Sequence, residues 1–130
     1  MAHDREQLAV FARSYTDAWC SGEPTRVTKH YASDGAVAVN GGAPTPILDV
    51  AQSFMAAFPD MELRMGDVVI RDDDVVEYHW TLIGDHAETG NHVHISGSEE
   101  WTIGDDGLIA GSLGNFDAVE YDRQVAHGTE

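Results

Sequence analysis

The sequence has 130 residues, enough for one domain with a core of its own and no disulfide staples. Seven Lys and Arg against 23 Asp and Glu give a formal charge of −16, which repels nucleic-acid phosphates and anionic membranes and argues against partners of either kind. One cysteine, Cys20, rules out an internal disulfide and fits a reducing cytoplasm; no basic-then-apolar leader opens the chain, and no apolar run approaches membrane-spanning length.

From Asp4 to Trp19, apolar residues fall at Leu8, Phe11, Tyr15 and Ala18/Trp19. Steps of three and four predict one helical stripe. Ser21-Gly22 ends the helix, with Gly22 suited to its C-cap. Cys20, in the last turn, reads as a small buried residue. Glu23-Pro24 opens a short second helix reaching about Tyr31. A turn at Ser33-Asp34-Gly35 and a short strand, Ala36–Asn40, follow. After the loop "NGGAPTP", Thr45 caps a third helix that begins at Pro46, carries Ile47, Val50/Ala51, Phe54/Met55 and Phe58 on one stripe, and stops at Pro59.

The second half reads as strands. Met61, Leu63 and Met65 alternate, then the parity slips to Val68 and Ile70, which predicts a bulge near Gly66-Asp67. Arg71–Asp74 is a polar hairpin turn. Val75–Ile83 carries Val76, Tyr78, Trp80 and Leu82 on one face and Glu77, His79 and Thr81 on the other. His92–Ile103 and Leu108–Phe116 are the last strands, joined by Gly104-Asp105-Asp106-Gly107. Asp117-Ala-Val-Glu120 has the form of a capping box for a short terminal helix. Hairpin-length turns predict antiparallel neighbours and argue against a doubly wound parallel fold.

This pattern resembles the cystatin-like cone fold of the nuclear transport factor 2-like superfamily and, within it, the SnoaL-like polyketide cyclase group. The stretches that carry the resemblance are "YTDAWCSGEPTRVTKHYASDGAVAV", "AAFPDMELRMGDVVIRDDDVVEYHWTLIGDH" and "SGSEEWTIGDDGLIAGSLGNFDAVEYDRQV". The resemblance implies a single α+β domain over 1–130, a cone-shaped roll whose N-terminal helices pack on a curved, mostly antiparallel sheet around a pocket. It also implies a homodimer through the sheet. It does not imply one reaction, since isomerases, aldol-type cyclases, epoxide hydrolases and binding-only scaffolds share the fold.

Tyr15 stands where the resemblance places the catalytic tyrosine of ketosteroid isomerases; a buried phenol donates to a developing enolate oxygen, and it also serves as an ordinary core aromatic. Glu99 falls at the matching acid position, where an inward carboxylate in an apolar cone has a raised pKa. Register decides whether Glu99 or Glu100 points inward, and a bulge at Gly97 would swap them. The base of those isomerases is absent, its position being Val39. The epoxide-hydrolase run is absent too, the last strand offering Ser112, Leu113 and Gly114.

Asp117 is either a general acid/base or the N-cap of the terminal helix. His86, His92 and His94 form a visible cluster; His92 and His94 share a strand face, and His92 is a candidate general base. With a glutamate they make only part of a cupin metal set, so no metal is assigned. Trp19, Phe54, Phe58, Tyr78, Trp80 and Trp101 are candidates to line or underlie an aromatic cone suited to a flat, apolar, even polycyclic molecule, with Asn40 and Asn115 as polar contacts. The reading is a cofactor-independent proton-transfer enzyme, for aldol cyclisation or isomerisation. The competing reading is a ligand-binding or dimerisation module without chemistry.

Overall fold

The computed structural model describes residues 5–129. In chain order it has α1 (Arg5–Cys20), α2 (Pro24–Thr28), β1 (Tyr31–Val39), β2 (Thr45–Pro46), α3 (Ile47–Ala57), β3 (Glu62–Ile70), β4 (Val76–Asp85), β5 (His92–Ile103), β6 (Ile109–Phe116) and α4 (Ala118–His127). The strands form a six-stranded sheet in the order β2-β1-β6-β5-β4-β3. Only the β1–β6 pair is parallel. The fold is therefore α+β, with helices on a mixed, mostly antiparallel sheet.

α1 buries Leu8, Ala12, Tyr15, Ala18 and Trp19 and packs against β3. Their spacing is the helical stripe, and burying each large side chain contributes about 1.5–3 kcal/mol. The chain leaves α1 at Gly22, whose φ of +75° favours glycine. α3 turns Ile47, Ala51 and Met55 inward. α4 lies on β5, where its buried Gln124 accepts from the His94 amide at 2.7 Å.

Four local expectations change. α2 ends at Thr28, and Tyr31 opens β1 instead of closing a helix. Ser33-Asp34-Gly35 is a wide bulge inside β1, between the pairs Tyr31↔Ile109 and Ala36↔Gly111. Gly35 sits so close to the Tyr31 ring that a Cβ there would come within 2.9 Å of it. Thr45 belongs to the two-residue β2; Pro46 is the N-cap of α3, and the Thr45 hydroxyl turns back to the Ala43 carbonyl. Cys20 is exposed, though its Sγ accepts from the Leu63 amide.

The bulge at Gly66-Asp67 is present, between the pairs Met65↔Trp80 and Val68↔Tyr78. No bulge occurs at Gly97: β4 and β5 pair without a break from Val76↔Trp101 to Asp85↔His92. Unbroken alternation sends Tyr78, Glu99 and Trp101 to the helix-covered face and Glu77 and Glu100 to the outer face.

Candidate functional site

Glu99 is the centre of the inner face. Its Oε1 accepts from the Tyr15 hydroxyl at 2.8 Å and from the Trp101 indole N–H at 2.9 Å. Behind Tyr15 the chain of hydroxyls continues, to Tyr31 at 3.3 Å and from Tyr31 to Ser112 at 2.9 Å. Tyr15, Tyr31, Ser112 and Trp101 are all buried. Four elements, α1, β1, β5 and β6, thus converge on one carboxylate. Oε2 of Glu99 takes no partner among the described residues and is not sealed from access.

Burial holds the Glu99 carboxyl above the usual carboxylate range, and the bonds from Trp101 and Tyr15 offset only part of that. Burial also raises the Tyr15 and Tyr31 phenols, with the nearby Glu99 charge pushing the same way. The Glu99 carboxyl therefore holds its proton more tightly than a surface carboxyl does, among phenols that stay neutral. With Oε1 occupied as acceptor, Oε2 is the oxygen that carries the proton whenever the carboxyl is protonated.

Beside this carboxyl is a cavity of about 60 Å³ between α1, α3 and the sheet. Tyr15, Trp19, Phe54, Trp80 and Glu99 line it, together with Tyr31, Phe116 and a wall of aliphatic side chains that includes Val37, Val39 and Leu63. It holds about two water molecules. Pockets for drug-sized ligands are roughly 300–1,000 Å³. A flat polycyclic molecule is larger than this volume. The aromatic rings beside the cavity are interlocked: Phe54, Phe116 and Tyr121 pack edge to face, and Trp80 leans on Phe116. All four of those side chains are only partly buried.

The other candidates lie elsewhere. Trp101 and Tyr78 stack beneath the cavity at 4.8 Å between ring centroids, and the Tyr78 hydroxyl bonds Thr16. Phe58 is a core residue against His86 and Tyr121. Asn40 braces a strand end, its Oδ1 accepting from the Phe116 amide at 2.9 Å. Asn115 is on the outer face, donating to Glu100 at 3.2 Å; Glu100 also pairs with Arg71. His92 is exposed at the start of β5, 2.9 Å from Asp85. Asp117 caps α4, accepting from the Glu120 amide at 3.1 Å, while the Glu120 side chain turns to Arg123 and Gln124 and not back to the cap. The cavity lining contains no histidine and no aspartate.

Tyr31 and Ser112 were missed as site residues in the sequence. Tyr31 is legible only if β1 begins there, and the bulge that follows breaks the period-two pattern that would reveal it. Ser112 hides in a run of small residues.

Residues 12–112 match the SnoaL-like domain family. The chain belongs to the SnoaL-like domain family. Solved structures agree in fold. A putative hydroxylase from Streptomyces galilaeus superposes with a TM-score of 0.80 at 15% identity, over 98% of this chain and 85% of that one. TsrD from Streptomyces laurentii gives 0.80 at 16% identity, over 95% and 97%. The BvnE pinacolase from Penicillium brevicompactum gives 0.77 at 17% identity, over 97% of each. No curated protein matches the chain. Among the described residues, no helix is long and apolar enough to cross a membrane.

Proposed function

We propose that this SnoaL-like domain is a cofactor-independent enzyme that works by acid-type proton transfer on a small, neutral carbonyl compound. The observation that carries this reading is the placement of the Glu99 carboxyl on the cavity wall, fixed by Tyr15 and Trp101 on one oxygen. The proton on Oε2 moves to a substrate carbonyl oxygen, and the hydroxyl chain through Tyr15 and Tyr31 stabilises the carboxylate left behind. Because the lining offers no second base among the described residues, the α-carbon proton passes through water admitted with the substrate back to the Glu99 carboxylate, which restores the acid. This route serves isomerisation or aldol closure. His92 and Asp117, expected in the sequence as proton carriers, have no part in this scheme, because neither lines the cavity. A homodimer through the outer face, expected from the family resemblance, would leave the cavity on the opposite face free.

Deuterium exchange at the α-carbon of small ketones in D₂O, followed by NMR, tests the reading. Tyr15→Phe and Glu99→Gln should each slow the enzyme-dependent exchange by about 10²-fold. Exchange equally fast in both variants would show that these residues do not carry the chemistry. A ligand held tightly and recovered unchanged, with no exchange at all, would favour the binding-module reading.

A further inference from the structure

Positive charge is scarce in this chain and unevenly placed. Three of the seven Lys and Arg, namely Arg13, Arg26 and Lys29, border one open groove of about 690 Å³ between α1 and α2. Ser14, His30 and a single carboxylate, Asp17, border it with them. The groove shares no lining residue with the cavity beneath α1. With 23 Asp and Glu in the chain, the expected neighbour of any cation is an acid. Arg26, Arg64, Arg71 and Arg123 each have such a partner. Arg13 and Lys29 are exposed and enter no ion pair among the described residues.

His30 ties the groove to α1. Its Nδ1 lies 3.0 Å from the Arg26 carbonyl oxygen, which only accepts, so the neutral ring carries its proton on Nδ1. Nε2 is then an acceptor, and the Ser14 hydroxyl donates to it at 2.9 Å. The rings of Phe11 and Tyr15 stand edge-on to the imidazole, and burial lowers its pKa. The charged groups around it are Arg13 and Asp17 of α1, Arg26 of α2 and Lys29. An anion in the groove favours the imidazolium. Nε2–H then donates to Ser14, and the Ser14 hydrogen is free to turn to the anion.

Arg13 and Lys29 bring two uncommitted positive charges, and Arg26 and Ser14 add donors. That set suits a doubly charged group with several acceptor oxygens. Val10, 70% exposed, continues the groove toward Phe11, into a second hollow that also includes Ser14. We infer that the α1–α2 groove binds a phosphate monoester carrying a small apolar group. Arg13, Arg26, Lys29 and Ser14 hold the phosphate, and the apolar group lies on Val10. The net charge of −16 does not forbid this. At physiological salt, charges farther away than about 8 Å are largely screened, while the groove cations act in contact.

Phenyl phosphate is the probe, with benzoate and phenol as the same ring carrying a single charge or none, all at constant ionic strength. Histidine ring ¹³C–¹H spectra of the intact protein follow binding, with His30→Gln identifying the resonance. Phenyl phosphate should move the His30 signals and raise the His30 pKa by about one pH unit. It should bind about 10-fold more tightly than benzoate, and phenol should leave His30 unmoved. Arg13→Gln and Lys29→Gln together, both on exposed side chains, should weaken phenyl phosphate by about 10-fold. Glu99→Gln, in the separate cavity, should leave its affinity unchanged. Affinity that follows Glu99 would place the probe in the cavity and overturn the inference. So would benzoate binding as tightly as phenyl phosphate, unchanged affinity in the Arg13/Lys29 variant, or a His30 signal that millimolar phenyl phosphate does not move.

Discussion

At the scale of single residues the account rests on one carboxyl group and the donors around it. Folding raises the Glu99 pKa, so the folded state holds this proton more tightly than the unfolded one. Its contribution to stability is then fully present at acid pH and is lost as pH rises through the raised value. Glu99→Gln keeps the shape without the titration. Melting curves from acid to neutral pH should show the variant gaining on the parent as pH rises; parallel curves would mean that Glu99 ionises normally. Trp101→Phe removes one of the two donors on Oε1 and should push the Glu99 pKa further up, extending the pH range over which the acid form persists. Glu120, partly exposed on α4, shifts the other way, down to about 2, chiefly through its bonds from Arg123 and Gln124. Its contribution is present above the ordinary carboxylate pKa and is lost as pH falls from there through about 2.

Elements set these residues in place, and here the sequence was informative in some places and silent in others. The α1 stripe, the bulge at Gly66-Asp67 and the Asp117 cap rest on local chemistry, and each is found where periodicity or capping logic puts it. The start of β1 was not legible, because a three-residue bulge inside a strand has the same composition as a turn. The choice between Glu99 and Glu100 depended on whether β5 is bulged, a property of its pairing with β4 and β6 and not of its own residues. The aromatic candidates could not be sorted into lining and core, since both need large apolar side chains at the same alternation.

Two substitutions test the elements. Gly97→Ala should displace Trp80 or spread β5 from β6, because the added Cβ also comes within 2.5 Å of the Asn115 carbonyl; a loss of about 1–3 kcal/mol in denaturant unfolding is expected. Asp117→Ala should cost about 1 kcal/mol as a lost N-cap and leave exchange at the cavity unchanged. A selective loss of exchange with no loss of stability would return Asp117 to the chemistry.

For the whole molecule, the sheet divides two kinds of surface. The inner face is apolar with a few aligned donors. The outer face carries Arg71 among Asp73, Glu77 and Glu100, with Leu113 51% exposed beside them. The formal charge of −16 matters to both. It favours solubility, and it adds a negative field that opposes ionising one more carboxylate inside the fold. Phe54, Phe116 and Tyr121 tie α3, β6 and α4 together beside the cavity through edge-to-face ring contacts. The central claim is that this fold raises the pKa of Glu99 on the cavity wall above that of the surface carboxyls. Titration of the Glu side-chain carboxyl carbons by ¹³C NMR measures it most directly, with Glu99→Gln identifying the resonance. The account predicts one glutamate that stays protonated after the surface carboxylates have ionised. A Glu99 resonance that titrates together with them would contradict it.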